Sequence, residues 1–288
     1  MITPDFVVVG HPKCGSTSLQ QYLHRHPQLY MGSQKEPSLY MDQWEAWKSG
    51  DLAYFPEDLP KGTVKGDATV GYVKMPEVAS RIADCKPDTR IVFLLRDPIE
   101  RALSHYHHWL RHGKDTRSLS RVIAESSYEH YFYRFGTYHT HLQQYRSHFP
   151  DAQICILFFE DLVADPVTTL GLLWTFLGVP PLEVTTFPEQ VWENAGHGVS
   201  SRRLSRFLKV QKESDGVKKA LPRPLRKLGG GLIRRLERWN RSSRRHQPTR
   251  AEYEVLRTFF APQVQGVKQW LQQQNPEQIL PAWLGRYE

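Results

Sequence analysis

Apolar residues fall along this chain in short unbroken runs that alternate with stretches of helical spacing. Phe6 to Val9, Ile91 to Leu95 and Ile154 to Phe159 read as strands buried on both faces, being short, free of polar alternation and rich in β-branched or aromatic side chains. After the first run a Gly/Pro turn leads into Leu19, Tyr22 and Leu23, spaced for one face of a helix. After the second, Pro98 stands at or near a first helical position, where its missing N–H costs little. After the third, Asp165-Pro166 opens a helix through Leu170 and Phe176 that Gly178 closes. This alternation predicts an α/β fold of three layers, with a mostly parallel central sheet flanked by helices. At 288 residues, 40% hydrophobic and 24% charged, the chain can bury a proper core as a single domain over 1–288.

The turn after the first strand carries the chemistry. Gly10-His-Pro-Lys13-Cys14-Gly15-Ser16-Thr17-Ser18 joins a strand to a helix start with a lysine, a glycine and three hydroxyls. First-turn N–H groups and the positive end of the helix dipole make such a place an anion site, so its ligand carries phosphate or a similar oxyanion. The Walker A pattern G-x-x-x-x-G-K-[ST] fails here, because Ser16 occupies the position of its lysine and Lys13 precedes Gly15. A second charged turn follows the second strand: Arg96-Asp-Pro-Ile-Glu-Arg101-Ala-Leu-Ser104-His-Tyr. A forked guanidinium at a strand's carboxyl end suits a phosphate dianion, and open α/β sheets bind ligands on that edge.

Together the two segments resemble the sulfotransferases that use 3′-phosphoadenosine 5′-phosphosulfate (PAPS), a family with a P-loop-like α/β fold. Pro12-Lys13-Cys14-Gly15-Ser16-Thr17-Ser18-Leu19 matches the family's 5′-phosphosulfate loop, and Arg96 through Ser104 its 3′-phosphate motif. The resemblance implies that Lys13, Cys14, Gly15, Ser16, Thr17 and Ser18 bind the 5′ end of the donor and that Arg96 and Ser104 bind the 3′-phosphate. It extends over nearly the whole chain: Gly136 to Pro150 looks like the family's helix before a central strand, Gln153 to Leu162 like its strand-plus-Glu-Asp-Leu element, and Leu256 to Leu271 like its closing helix. The reaction it implies is sulfuryl transfer to a hydroxyl or amine of a saccharide or small molecule, giving adenosine 3′,5′-bisphosphate. No metal is needed, since Lys13, Arg96 and helix dipoles supply the positive charge.

Such a transfer also needs a base for the acceptor proton. Gln34-Lys35-Glu36-Pro37-Ser38-Leu39-Tyr40 resembles the Lys-Glu-x-x-aromatic segment of the heparan-type, glycan-directed sulfotransferases, which makes Glu36 the expected base and Lys35 a candidate helper at the sulfuryl group. Pro37 predicts an extended Glu36. Gly66-Asp67-Ala68-Thr69-Val70-Gly71-Tyr72 looks like the family's Gly-Glu-[KA]-[ST]-Pro-x-Tyr with departures: Asp67 replaces Glu, Val70 replaces Pro, and Ala68 stands where the glycan enzymes often carry lysine. Asp67 is the reserve candidate for base or acceptor-orienting carboxylate. The phenol and steroid enzymes use a catalytic histidine, and none of the 13 histidines lies in a matching segment. Most, His105, His107 and His108 among them, are expected on exposed helix faces. Trp44, Trp47, Tyr54 and Phe55 follow Glu36 directly, and packing is their preferred role over lining an acceptor pocket.

Charge is uneven. Residues 200–250 hold 17 of the 38 Lys/Arg and three acids, a net +14, leaving 21 basic and 27 acidic residues elsewhere. Apolar positions there predict two basic amphipathic helices about a Gly229-Gly230-Gly231 hinge. Three readings stand: a lid over donor and acceptor with Arg202 or Arg203 reaching the 3′-phosphate or adenosine, a surface for peripheral contact with anionic membrane or polyanion, or a solvated helical face. Nucleic-acid binding has no supporting motif. Three cysteines (Cys14, Cys85, Cys155) form no disulfide or metal pattern, and Cys14 reads as a spacer in the loop. No apolar run spans a bilayer and no signal pattern precedes the first strand, so a cytoplasmic enzyme is expected. A nucleotide kinase and a non-catalytic polyanion or membrane binder are the competing functions.

Overall fold

The computed structural model of the 288-residue chain describes residues 2–32, 34–182, 198–199, 201, 203–206, 240–242, 246–277 and 279–288. Five strands form one sheet: β1 (Phe6–Val8), β2 (Leu29–Tyr30), β3 (Val64–Ala68), β4 (Arg90–Leu95) and β5 (Ile154–Phe158). Their order is β2-β3-β1-β4-β5 and every pairing is parallel. Val8 at the tip of β1 lies opposite Ala68 of β3 and Val92 of β4. Phe6, Val7, Val8 and Ile91 to Leu95 are all but inaccessible to solvent, as strands covered on both faces require. β5 pairs only with β4 among the described residues, so it closes an edge of the sheet instead of lying centrally as the resemblance implied.

Parallel neighbours need crossovers, and helices provide them. They are α1 (Ser16–Arg25), α2 (Trp44–Ser49), α3 (Glu77–Cys85), α4 (Pro98–Arg111), α5 (Leu119–Glu125), α6 (Tyr131–Arg134) and α7 (Tyr138–Arg146); after the last strand come α8 (Phe159–Ala164), α9 (Pro166–Leu177) and α10 (Arg250–Gln274). Asp165 caps α9 by accepting the Thr168 N–H at 3.1 Å, and Gly178 ends it in a left-handed turn, as its sequence predicts. From β1 the chain turns through α1 towards β2 on one side, whereas from β4 it moves towards β5 on the other. The loops after β1 and β4 therefore diverge, and such a switch point is where open parallel sheets bind ligands.

The chain divides into two compact units. The first comprises Met1–Arg101, Arg134–Glu193 and Arg257–Glu288 and contains the sheet; the second comprises Ala102–Tyr133 and Asn194–Leu256. Within the second, Arg117 grips Asp115 with two nitrogens at 3.1 and 2.7 Å, and Asn240 bonds the backbone of Ser201 from both amide atoms. His105 and His107 are buried there, against the expectation of exposure: His105 packs on the Tyr131 ring and His107 Nε2 meets the His246 carbonyl at 3.2 Å. Arg202, the proposed lid and the expected hinge with most of its flanking helices lie outside the described residues, while Arg203 is an exposed residue of a helical turn. No described helix is long and apolar enough to cross a membrane.

Candidate active site

Val9, the residue after β1, donates its N–H to the Val92 carbonyl of β4 at 3.0 Å, so the following loop leaves the sheet from a fixed point. Its backbone then alternates in sign. φ is positive at Lys13 (76°) and Gly15 (92°), and not at Pro12, Cys14 or Ser16. Alternation of this kind turns successive N–H groups inward and makes a nest for an anion. A lysine at positive φ is uncommon, and strain of this sort collects at ligand sites. Gly15 is the N-cap of α1 and no side chain caps that helix, so its first turn presents donors that the helix cannot satisfy internally. Ser16 and Thr17 are half-buried and Ser18 is buried. Cys14 does not face this site. Its thiol is fully buried beside the Tyr138 hydroxyl (3.8 Å), its N–H goes to the His11 carbonyl at 3.3 Å, and burial pushes the thiol up to about 12. The Cys14 side chain thus packs into the interior behind the loop.

Arg96 follows β4 directly, and its Nη1 donates to the Lys13 carbonyl at 3.3 Å. The tips of β1 and β4 thus bring these two cationic residues together. The guanidinium lies over the Phe159 ring, 4.7 Å from its centroid, and the Tyr138 hydroxyl donates to the Arg96 carbonyl at 2.8 Å. Asp97 accepts the Ile99 and Glu100 N–H groups and the Tyr287 hydroxyl, capping α4, while Glu160 accepts the Asp97 N–H at 3.1 Å. Phe159, Tyr138 and Glu160 had no assigned role in the sequence, although the segments that carry them were matched. Ser104 is a half-buried residue of α4 within the second unit.

Gly15 fits against this arrangement because it lacks a side chain. A Cβ there would come 2.5 Å from Phe159 Cδ2, at a φ that L residues avoid. Gly15→Ala is expected to cost roughly 1–2 kcal/mol for the left-handed backbone and about 1–3 for overpacking. In a chain of this size that lowers the melting temperature by roughly 5–15 °C. Calorimetry of Gly15→Ala beside Gly15→Ala/Phe159→Ala separates the two costs, since the second variant removes the ring and keeps the backbone penalty.

The segment carrying Glu36 is pinned at several points. Tyr54 donates its hydroxyl to the carbonyls of Met31 (2.9 Å) and Gln34 (3.1 Å), and Lys35 Nζ donates to Thr17 Oγ1 at 2.8 Å. Glu36 is half-buried and has φ 54°, and Ser38 has φ 57°. The expected extended Glu36 is therefore wrong: hydrogen bonds that the residues just beyond Pro37 give to Thr69 and Tyr72 override its local preference. Ser38 donates its N–H to Thr69 Oγ1 (3.1 Å) and Tyr40 its N–H to the Tyr72 hydroxyl (3.2 Å). Both hydroxyls in turn donate to Asp67, Thr69 to Oδ1 at 2.8 Å and Tyr72 to Oδ2. Asp67 is fully buried. Burial pushes its carboxyl up to about 7 against the pull of those hydrogen bonds, and the Glu36 charge adds to the rise. Trp47 and Phe55 are buried and Trp44 stacks on Tyr40, which bears out packing as the role of these aromatics.

Behind the loop lies a pair of histidines that sequence reading did not single out. His11 Nε2 and His141 Nδ1 are 3.0 Å apart, both side chains buried. Burial, each other's proximity and Arg101 hold His11 well below its usual range; burial and the Arg134 and Arg101 charges bring His141 down to about 3. Both are neutral in the folded chain at pH values where the unfolded chain binds protons. Stability must then rise with pH up to the unfolded value of 6.5 and fall below it, by up to about 1.4 kcal/mol per pH unit for each histidine. Urea unfolding at about pH 7 and about pH 5.5 is expected to show this slope reduced by one histidine's share in His141→Gln.

A family model described as the sulfotransferase domain matches residues 3–197. The membrane-associated sulfotransferase kil1 of Dictyostelium discoideum is 34% identical over 134 residues, 44% of this chain and 27% of that protein. The human heparan sulfate glucosamine 3-O-sulfotransferase 3B1 is 26% identical over 188 residues, 61% of this chain and 46% of the relative. This chain thus spans less than half the length of either protein. Among solved structures, a sulfotransferase from Alicyclobacillus acidocaldarius superposes with a TM-score of 0.64 at 22% identity, covering 98% of this chain and 99% of that one, a likeness of fold.

Proposed function

Because this chain belongs to the sulfotransferase domain family, we propose that it transfers a sulfuryl group from PAPS to a hydroxyl or amine, with a saccharide as the favoured acceptor class. The observation that carries the reading is the junction of Lys13 and Arg96 at the switch point of the sheet, beside a loop of alternating φ and an uncapped helix start. These residues fit a nucleotide carrying charge at two places. Arg96 spends one bond of its fork, from Nη1, on the Lys13 carbonyl, and Nη2 lies 3.8 Å from Glu100, so the guanidinium keeps donors for a phosphate. The saccharide preference rests on the relatives whose names give heparan sulfate as their substrate.

PAPS supplies the sulfuryl group and is left as adenosine 3′,5′-bisphosphate. Lys13 and the N–H groups of the Gly15–Ser18 turn face the charge that builds on the phosphate side as the bond to sulfur breaks, and a preorganised cation there lowers the barrier. The hydroxyls of Ser16 and Thr17 add donors, and Lys35, held on Thr17, is a second cation beside the turn. Arg96 holds the 3′-phosphate. Glu36 takes the proton of the acceptor as the new bond to sulfur forms. Asp67 is a poor base: it is fully buried and both its oxygens already accept hydroxyl protons.

Titration calorimetry tests the reading. Adenosine 3′,5′-bisphosphate is expected to bind without metal, and Arg96→Ala to weaken it by roughly 10–100-fold, the value of a charge-assisted bond pair. Tight binding of ATP with Mg²⁺ alone reverses the assignment in favour of phosphoryl transfer.

A further inference from the structure

Asp67 has no task in the transfer as described, yet it is inaccessible to solvent at the end of β3, a costly place for an acid. Its surroundings show what the carboxyl does. Each of its oxygens accepts one hydroxyl, and each hydroxyl accepts one backbone N–H from the segment that carries Glu36: Ser38 N–H to Thr69 to Oδ1, and Tyr40 N–H to Tyr72 to Oδ2. The two relays run in parallel and in the same direction. A hydroxyl that gives its proton to a carboxylate is free to accept, and only a side chain with two acceptor oxygens orients both. An amide, with one oxygen, orients one.

We propose that Asp67 is the positioning residue for Glu36: through Thr69 and Tyr72 it holds the Glu36-Pro37-Ser38 turn, left-handed at both ends, where Glu36 meets the acceptor. Pro37 donates no N–H, and Glu36 and Ser38 sit at φ values their side chains disfavour. On its far side the turn is held by the Ser38 N–H at its own end and by the Tyr40 N–H two residues on. With one oxygen accepting from each hydroxyl, Asp67 keeps both hydroxyls turned to accept the two N–H groups. Each network of this kind fixes geometry more firmly than its bonds taken singly.

The inference rests on the proposed transfer with Glu36 as base, and one set of variants separates the two. Thr69→Val and Tyr72→Phe each remove a relay while keeping side-chain shape, and Thr69→Ser restores a hydroxyl. Hydrogen exchange of the nucleotide-free protein is expected to speed up at the Ser38 amide in Thr69→Val and at the Tyr40 amide in Tyr72→Phe, and to return towards wild type in Thr69→Ser. Turnover of PAPS is expected to fall roughly 10–100-fold in the first two variants, with affinity for adenosine 3′,5′-bisphosphate within about twofold of wild type. In a Glu36→Gln background the same changes are expected to cost almost nothing more, because they act through Glu36. Unchanged exchange at these amides, or losses that simply multiply those of Glu36→Gln, overturns the inference. A wild-type chain that binds no adenosine 3′,5′-bisphosphate overturns the transfer instead, and the exchange measurement still decides whether Asp67 holds the turn.

Discussion

Lys13→Ala is expected to lower turnover by about 10³-fold, in line with the removal of one preorganised donor at a site of developing charge. The loop explains why so much rests on this one residue. Its φ of 76° commits backbone energy to a conformation that lysine disfavours, and the Lys13 carbonyl is tied to Arg96, so the ammonium group leaves a rigid platform. Ala68 stands where the glycan enzymes often carry a lysine, and Lys35 on Thr17 is a further cation beside the turn. Lys13→Arg is expected to restore the activity only in part, since the planar fork replaces a compact point charge. The Michaelis constant for PAPS should rise far less than turnover falls, because the charge that Lys13 meets grows as the bond breaks. Measuring both constants with ³⁵S-labelled PAPS checks this. An equal rise in KM with turnover unchanged makes Lys13 a binding residue only.

The parts of the site legible in the sequence are those in which one continuous segment contains both scaffold and chemistry. β1 with its loop and α1, and β4 with Arg96 and α4, each read as apolar run, charged turn and helix, and the structure puts them side by side. What the sequence did not disclose depends on contacts between distant segments. Phe159 lies under Gly15 although 144 residues separate them, and Tyr138 reaches Arg96 across 42. Pro37 predicts an extended Glu36 from local sterics alone, and the Thr69 and Tyr72 hydroxyls, some 30 residues on, decide otherwise. The histidines show the same limit. His105 and His107 sit on an amphipathic helix where polarity predicts exposure, and aromatic and carbonyl partners elsewhere in their unit bury them. Residues 207–239, which include most of the basic segment, lie outside the described residues.

Glu36→Gln is expected to reduce turnover by roughly 10²–10⁴-fold, the usual worth of a positioned general base, while affinity for adenosine 3′,5′-bisphosphate stays within about twofold. The substitution is isosteric and leaves the backbone anchors at Ser38 and Tyr40 untouched, so the turn survives and only the proton acceptor is lost. Two carboxyl groups compete for the role, and their surroundings differ. Glu36 is half-buried on a segment whose Lys35 touches the anion loop; Asp67 is sealed, its oxygens both occupied, and its carboxyl is raised to about 7. A base must reach the acceptor as well as hold a proton, and geometry comes before basicity in choosing between them. The decisive comparison is Glu36→Gln against Asp67→Asn at saturating donor. Loss in Glu36→Gln that exceeds the loss in Asp67→Asn fits a base held in place by a buried neighbour. Full turnover in Glu36→Gln with none in Asp67→Asn moves the base to Asp67 and requires the Thr69 and Tyr72 hydroxyls to release it when acceptor binds.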